Sequence, residues 1–219
     1  MSRRTLFEPA RPGCIASQRV LLLPPAYAQP EDFLRAGFAE AVRGRGLELD
    51  LVFVEARLKT VTDRTILAHL HDLLLEGRAA GCKILWLGGI SLGAYLALAC
   101  AERHWREVDG LCLFAPYLGS YIVTREVERA GGVAGWDPGE LAAEDEERRI
   151  WSFIKRRARG PPPIHLGLGE DDRFGARHRT LAAALPAGSI DLVPGGHQWP
   201  VWRTLWERFL DARIRQLDG

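Results

Sequence analysis

The sequence predicts an α/β fold, with a mostly parallel central sheet and helices on both faces. Three observations lead there. Short apolar runs recur at Arg19–Leu23, Leu47–Ala56, Lys83–Leu87, Gly110–Pro116, Ile164–Gly169 and Ile190–Val193. Between them lie stretches whose apolar residues fall at helical spacing. Strands that alternate with helices build parallel sheets, because a parallel pair needs a crossover between its members. Finally, 219 residues with 47% hydrophobic and 26% charged side chains suffice for a two-faced core in a single domain, residues 1–219.

Taken in order, residues 1–18 are polar and proline-bearing and are expected to form a loose arm. The strand Arg19–Leu23 is stopped by Pro24-Pro25, and Ala26 to Gln29 form a loop. A helix then opens on Pro30-Glu31-Asp32, with Phe33, Leu34, Phe38 and Val42 on its apolar face and Gly44 and Gly46 at its end. After the strand Leu47–Ala56, Thr62 or Asp63 caps a helix that runs to about Glu76. The strand Lys83–Leu87 leads through Gly88-Gly89-Ile90-Ser91-Leu92-Gly93 into a long alanine-rich helix, residues 92–102. Residues 117–160 are too long for an ordinary connection between strands and carry helical patches. A helix over about 176–185 and a final one bearing Trp202, Leu205, Trp206 and Phe209 complete the alternation.

Composition narrows the function. A net charge of +1 gives no global pull towards nucleic acid or an anionic membrane, and no apolar stretch is long enough for a signal peptide or a membrane span. Cys14, Cys82, Cys100 and Cys112 are widely spaced without a CxxC pair, which fits reduced thiols in a cytoplasmic protein. His69 and His71, two apart on a helix, point to different sides and make a poor metal pair, so no metal is expected. Neither a GxxxxGK[ST] nor a GxGxxG phosphate loop is present. The basic stretch Lys155 to Arg159, preceded by Glu144 to Glu147, reads as a solvated helical face.

The chemistry-bearing residues cluster after strands. Ser91 stands in a Gly-x-Ser-x-Gly turn between a strand and a helix, where a serine hydroxyl is lifted clear of the sheet near the positive end of the helix. A serine is a poor nucleophile at neutral pH and needs a base, which in turn needs an orienting carboxylate. His197 lies in the glycine-flanked loop after one strand, and Glu170-Asp171-Asp172 follow the strand before it.

In these residues the chain resembles a small serine-dependent α/β-hydrolase of the esterase or thioesterase kind: Gly89-Ile90-Ser91-Leu92-Gly93, then Gly169-Glu170-Asp171-Asp172, then Gly196-His197, in the order nucleophile, acid, histidine. The resemblance runs from Val20 onward. It implies an α/β-hydrolase fold, Ser91 as nucleophile, His197 as base and Asp172 as acid, with Asp171 as the alternative. It further implies an oxyanion hole from the backbone N–H of Leu92 and of Ala26, the latter because Pro24 and Pro25 have no N–H to give. That loop departs from the His-Gly pattern frequent in the family.

Tyr27, Tyr117, Tyr121 and Trp199 are candidates for the substrate pocket. The resemblance implies that residues 117–160 are a lid or cap insertion, in which Tyr117, Tyr121, Trp136, Trp151 and Phe153 either roof an acyl pocket or hold a small cap together. The implied activity is cleavage of a small-molecule carboxylic ester or thioester through an acyl-enzyme, without a cofactor. Acyl transfer, amide cleavage and carbon–carbon hydrolysis by the same residues, or a hydrolase-like binding module without activity, remain as alternatives.

Overall fold

The computed structural model describes residues 4–56 and 58–214. Seven strands form one sheet: β1 (Thr5–Glu8), β2 (Gln18–Leu23), β3 (Leu49–Val54), β4 (Ile84–Ile90), β5 (Gly110–Phe114), β6 (Ile164–Gly169) and β7 (Ile190–Val193). Their spatial order is β1-β3-β2-β4-β5-β6-β7, and every neighbouring pair is parallel except β1 with β3. The six expected strands are therefore present, in the mostly parallel arrangement that the alternation predicts.

Alternation of side chains along each strand divides the core in two. Leu21 and Leu23 of β2, with Leu85 and Leu87 of β4, face the layer formed by α4 (Thr65–Ala79), α5 (Leu92–His104), α7 (Glu146–Arg157) and α8 (Gly175–Ala182). Val20 and Leu22, with Trp86 and Ile90, face α1 (Pro30–Arg35), α2 (Phe38–Gly44) and α9 (Trp199–Phe209), which a π-helical turn extends to Ile214. α5 is buried nearly all round, and its alanines let it lie close against the sheet.

Two expectations need correction. Residues 4–18 are not a loose arm, because β1 adds an antiparallel edge to β3 and Asp50 ties the following turn down, while residues 1–3 of that expected arm lie outside the described residues. The fully buried Asp50 carboxylate accepts from the N–H groups of Ala10 (3.0 Å) and Ala16 (3.3 Å) and from Arg19 Nη2 (3.1 Å). Buried charge is tolerated only with such partners.

The helix expected over residues 30–44 is two helices. Gly37 takes φ +80°, and a side chain there would stand 1.8 Å from Arg203 Nη1, which donates to the Ala36 carbonyl (3.1 Å). The apolar periodicity hides the break because Phe33 and Phe38 face one core and touch edge-to-face at 5.0 Å.

Smaller shifts concern helix bounds. α4 runs three residues past Glu76, and Asp63 Oδ1 accepts from the N–H and hydroxyl of Thr65 at its start. Within 117–160, α6 (Tyr121–Arg129) and α7 supply the helical patches. Trp136, Trp151 and Phe153 are core side chains rather than a roof, each about 1% exposed. Trp151 Nε1–H donates to Leu118 O (3.1 Å), which satisfies its one polar atom.

The chain runs outward from β2 to β3, then crosses back past β2 to β4. The loops after β2 and β4 thus flank the point where the winding reverses, the place where open parallel sheets collect ligands.

Candidate active site

Ser91 joins β4 to α5 with φ +53° and ψ −112°, a conformation that costs a non-glycine residue about 1–3 kcal/mol and persists only where surroundings enforce it. Its N–H donates to Phe114 O (2.9 Å), and its carbonyl accepts from Tyr95 N (3.2 Å) and Tyr117 N (3.0 Å). The glycines on either side have a steric reason. A Cβ on Gly89 would stand 2.6 Å from Leu23 O, and one on Gly93 2.2 Å from the same atom. Side chains there would force the helix off the β2 backbone. Leu92 is the first residue of α5, where an N–H has no partner within the helix and the helix dipole is positive.

The candidate acid and base come from the ends of β6 and β7. Glu170 N–H donates to Val193 O (2.9 Å) and Asp171 N–H to Gly195 O (3.0 Å), so the pairing of the strands continues into their loops. This approach requires Gly169, whose Cβ would meet Gly195 O at 2.4 Å, and Gly195 itself sits at φ +106°. Across this junction Asp172 Oδ2 meets His197 Nδ1 at 2.8 Å. Asp172 Oδ1 accepts from Phe174 N–H (2.9 Å), and the carboxylate side chain is fully buried. Burial opposes its charge, but the bonds from His197 and Phe174 prevail and hold the carboxyl below its usual range. Asp171, the alternative acid, is exposed and engages the histidine loop through its backbone N–H.

With Nδ1–H directed at Asp172, the imidazole keeps Nε2 free to take a proton. Two rings fix its plane: Phe174 (5.2 Å, 82°) and Trp202 (5.0 Å, 88°) both meet His197 edge-to-face. A second histidine, His178, is buried nearby and donates from Nε2 to Pro116 O (3.0 Å); burial pushes its imidazole towards the neutral form.

Ser91, His197, Ala26, Tyr27 and Trp199 line one open depression of about 550 Å³. Its rim includes a four-residue turn closed by Ala28 N–H to Pro25 O (3.2 Å), which puts Ala26 and Tyr27 at the central positions. Tyr27 takes φ +66° and is 99% exposed. Tyr117 and Tyr121 lie elsewhere. Tyr117 packs against Tyr95 at 5.4 Å, and Tyr121 carries the guanidinium groups of Arg125 and Arg177 over its ring.

No protein-family model and no curated protein matches the chain. Solved structures do. Est1E from Butyrivibrio proteoclasticus superposes with a TM-score of 0.67 at 12% identity, covering 98% of this chain and 94% of that one. FphF, a fluorophosphonate-binding serine hydrolase of Staphylococcus aureus, gives 0.63 at 11% identity, with 89% and 82% covered. A monoacylglycerol lipase of Paleococcus ferrophilus gives 0.60 at 14% identity, with 99% and 98% covered.

The fold is that of the α/β-hydrolases.

Within this α/β-hydrolase fold, three further residues shape the site without having stood out in the sequence: Phe174 and Trp202, which clamp the imidazole, and Arg173, which lines the depression. Phe174 follows the acid by two positions and Trp202 follows the histidine by five, a proximity that flags them once the acid and base are assigned. Among the described residues, no cluster of three or more His, Cys, Asp or Glu could hold a metal ion, and no helix is long and apolar enough to cross a membrane.

Proposed function

We propose that the chain is a serine hydrolase that cleaves a carboxylic ester or thioester through an acyl-enzyme. Ser91 Oγ attacks the carbonyl carbon while His197 Nε2 accepts the hydroxyl proton. The tetrahedral oxyanion is held by the N–H groups of Leu92 and Ala26. Collapse expels the alcohol or thiol, which takes the proton from His197, and leaves Ser91 acylated. Water, deprotonated by His197, then attacks the acyl carbon, and the acid departs as Ser91 Oγ takes the proton back from His197. Asp172 keeps the imidazole in the required tautomer and stabilises its charged form.

The observation that carries this reading is that His197, bonded to the buried Asp172 at 2.8 Å, lines the same depression as a serine held at φ +53°. The printed names of similar structures, an esterase, a fluorophosphonate-binding serine hydrolase and a lipase, support it. A cytoplasmic location fits the four unpaired cysteines.

A fluorophosphonate probe should label Ser91, and Ser91→Ala should lose the label together with at least about a thousandfold of kcat/KM for p-nitrophenyl acetate. Unlabelled wild-type protein, or a variant that keeps its turnover, would overturn the proposal in favour of a non-catalytic binding module or a different nucleophile. Matched oxygen esters and thioesters of increasing acyl length would then define the preferred bond.

A further inference from the structure

Arg173 follows Glu170, Asp171 and Asp172 in sequence, yet its guanidinium makes no ion pair among the described residues. It lies instead over the Phe174 ring, 4.9 Å from the centroid. Phe174 meets the His197 ring at 5.2 Å, so the guanidinium carbon is at most about 10 Å from the imidazole centre, the two separations laid end to end. Arg173 also lines the depression that holds Ser91 and His197. The carboxylate on that lining, Asp32, is already engaged: Oδ2 accepts from Gln29 N–H (2.7 Å) and Oδ1 from Arg35 Nη1 (2.6 Å). The depression therefore carries one permanent positive charge without an ion-pair partner among the described residues, resting over the aromatic ring that clamps the imidazole.

We infer that Arg173 selects ester substrates bearing a carboxylate a short spacer away from the scissile carbonyl. The inference rests on the proposed serine-hydrolase reading and adds a substrate class to it. A guanidinium presents parallel N–H donors that match both oxygens of a carboxylate. Because the guanidinium already rests over the Phe174 ring, less side-chain freedom is lost when the anion docks. The carboxylate belongs either to the acyl part, as in a half-ester of a dicarboxylic acid, or to the leaving group, as in an ester of a phenolic or hydroxy acid.

Two matched pairs separate these sources: p-nitrophenyl glutarate against p-nitrophenyl pentanoate, and 3-carboxyphenyl acetate against phenyl acetate. In one pair the wild type should prefer the charged ester, chiefly through KM. Arg173→Gln should lower the charged-to-neutral ratio of kcat/KM about tenfold, and Arg173→Lys should restore part of it. Added salt should shrink the wild-type ratio, as expected for an exposed charge. Ratios near one in both pairs, or a ratio that Arg173→Gln leaves unchanged, overturn the inference while the hydrolase reading stands. Absence of turnover for every ester, with no fluorophosphonate label at Ser91, overturns both.

Discussion

The Asp172–His197 side of the depression and its Pro25–Ala28 rim are held by different means. On the first side, two backbone hydrogen bonds, a glycine whose Cβ would stand 2.4 Å from the facing carbonyl, and two aromatic rings fix a buried carboxylate against its imidazole. On the second, one 3.2 Å turn bond supports exposed Ala26 and Tyr27. Proton transfer demands groups aligned to within a fraction of an ångström, whereas a loop that receives substrates of differing shape gains from having few anchors. Ser91 belongs with the rigid side: Gly89 and Gly93 press it against β2, whose end begins the open rim.

The sharpest way to break this comparison is to disturb the rigid side electrostatically. Asp172→Asn should lower kcat for an activated ester by about ten-thousandfold, because the amide favours the wrong imidazole tautomer. Asp171→Asn, whose backbone N–H stays in place, should change it by less than about threefold. Comparable losses in steady-state assays of both variants would mean that the acid is misassigned.

A steric disturbance comes next. Gly93→Ala places a methyl group 2.2 Å from Leu23 O and 2.7 Å from Pro24 O, both backbone atoms. It should cost about 3 kcal/mol, a fall of about 10 °C in Tm by calorimetry. A Tm within 2 °C of wild type, by the same estimate, would show that the β2 end yields more easily than its packing indicates.

The smallest effect belongs to the open rim. Tyr27→Gly relieves a left-handed residue that buries almost nothing, so Tm should rise by about 1–3 °C. A clear drop would reveal contacts that make this rim as determined as the other side.

The sequence made the rigid side legible and left the rest obscure, for physical reasons. A serine between two glycines at a strand-to-helix bend leaves a local imprint, since only glycine fits where a Cβ would stand less than 3 Å from facing backbone atoms. Asp172 and His197 stood out as candidates because each follows an apolar strand within a few residues. β1 escaped notice because its four residues gain their order from β3, more than forty positions away. The aromatics of 117–160 stayed ambiguous because Trp136, Trp151 and Phe153 have the same composition whether they roof a pocket or fill a core. Arg173 gave no signal beside three acids, where a salt bridge is the default expectation.

The four-residue strand β7 closes the sheet with a neighbour on one flank alone, and the loop bearing His197 hangs from its end. Detachment of that border strand would carry the imidazole away while the central sheet stayed folded. Such partial openings require less free energy than global unfolding. Gentle heating would then silence the protein well before it melts, and cooling would revive it.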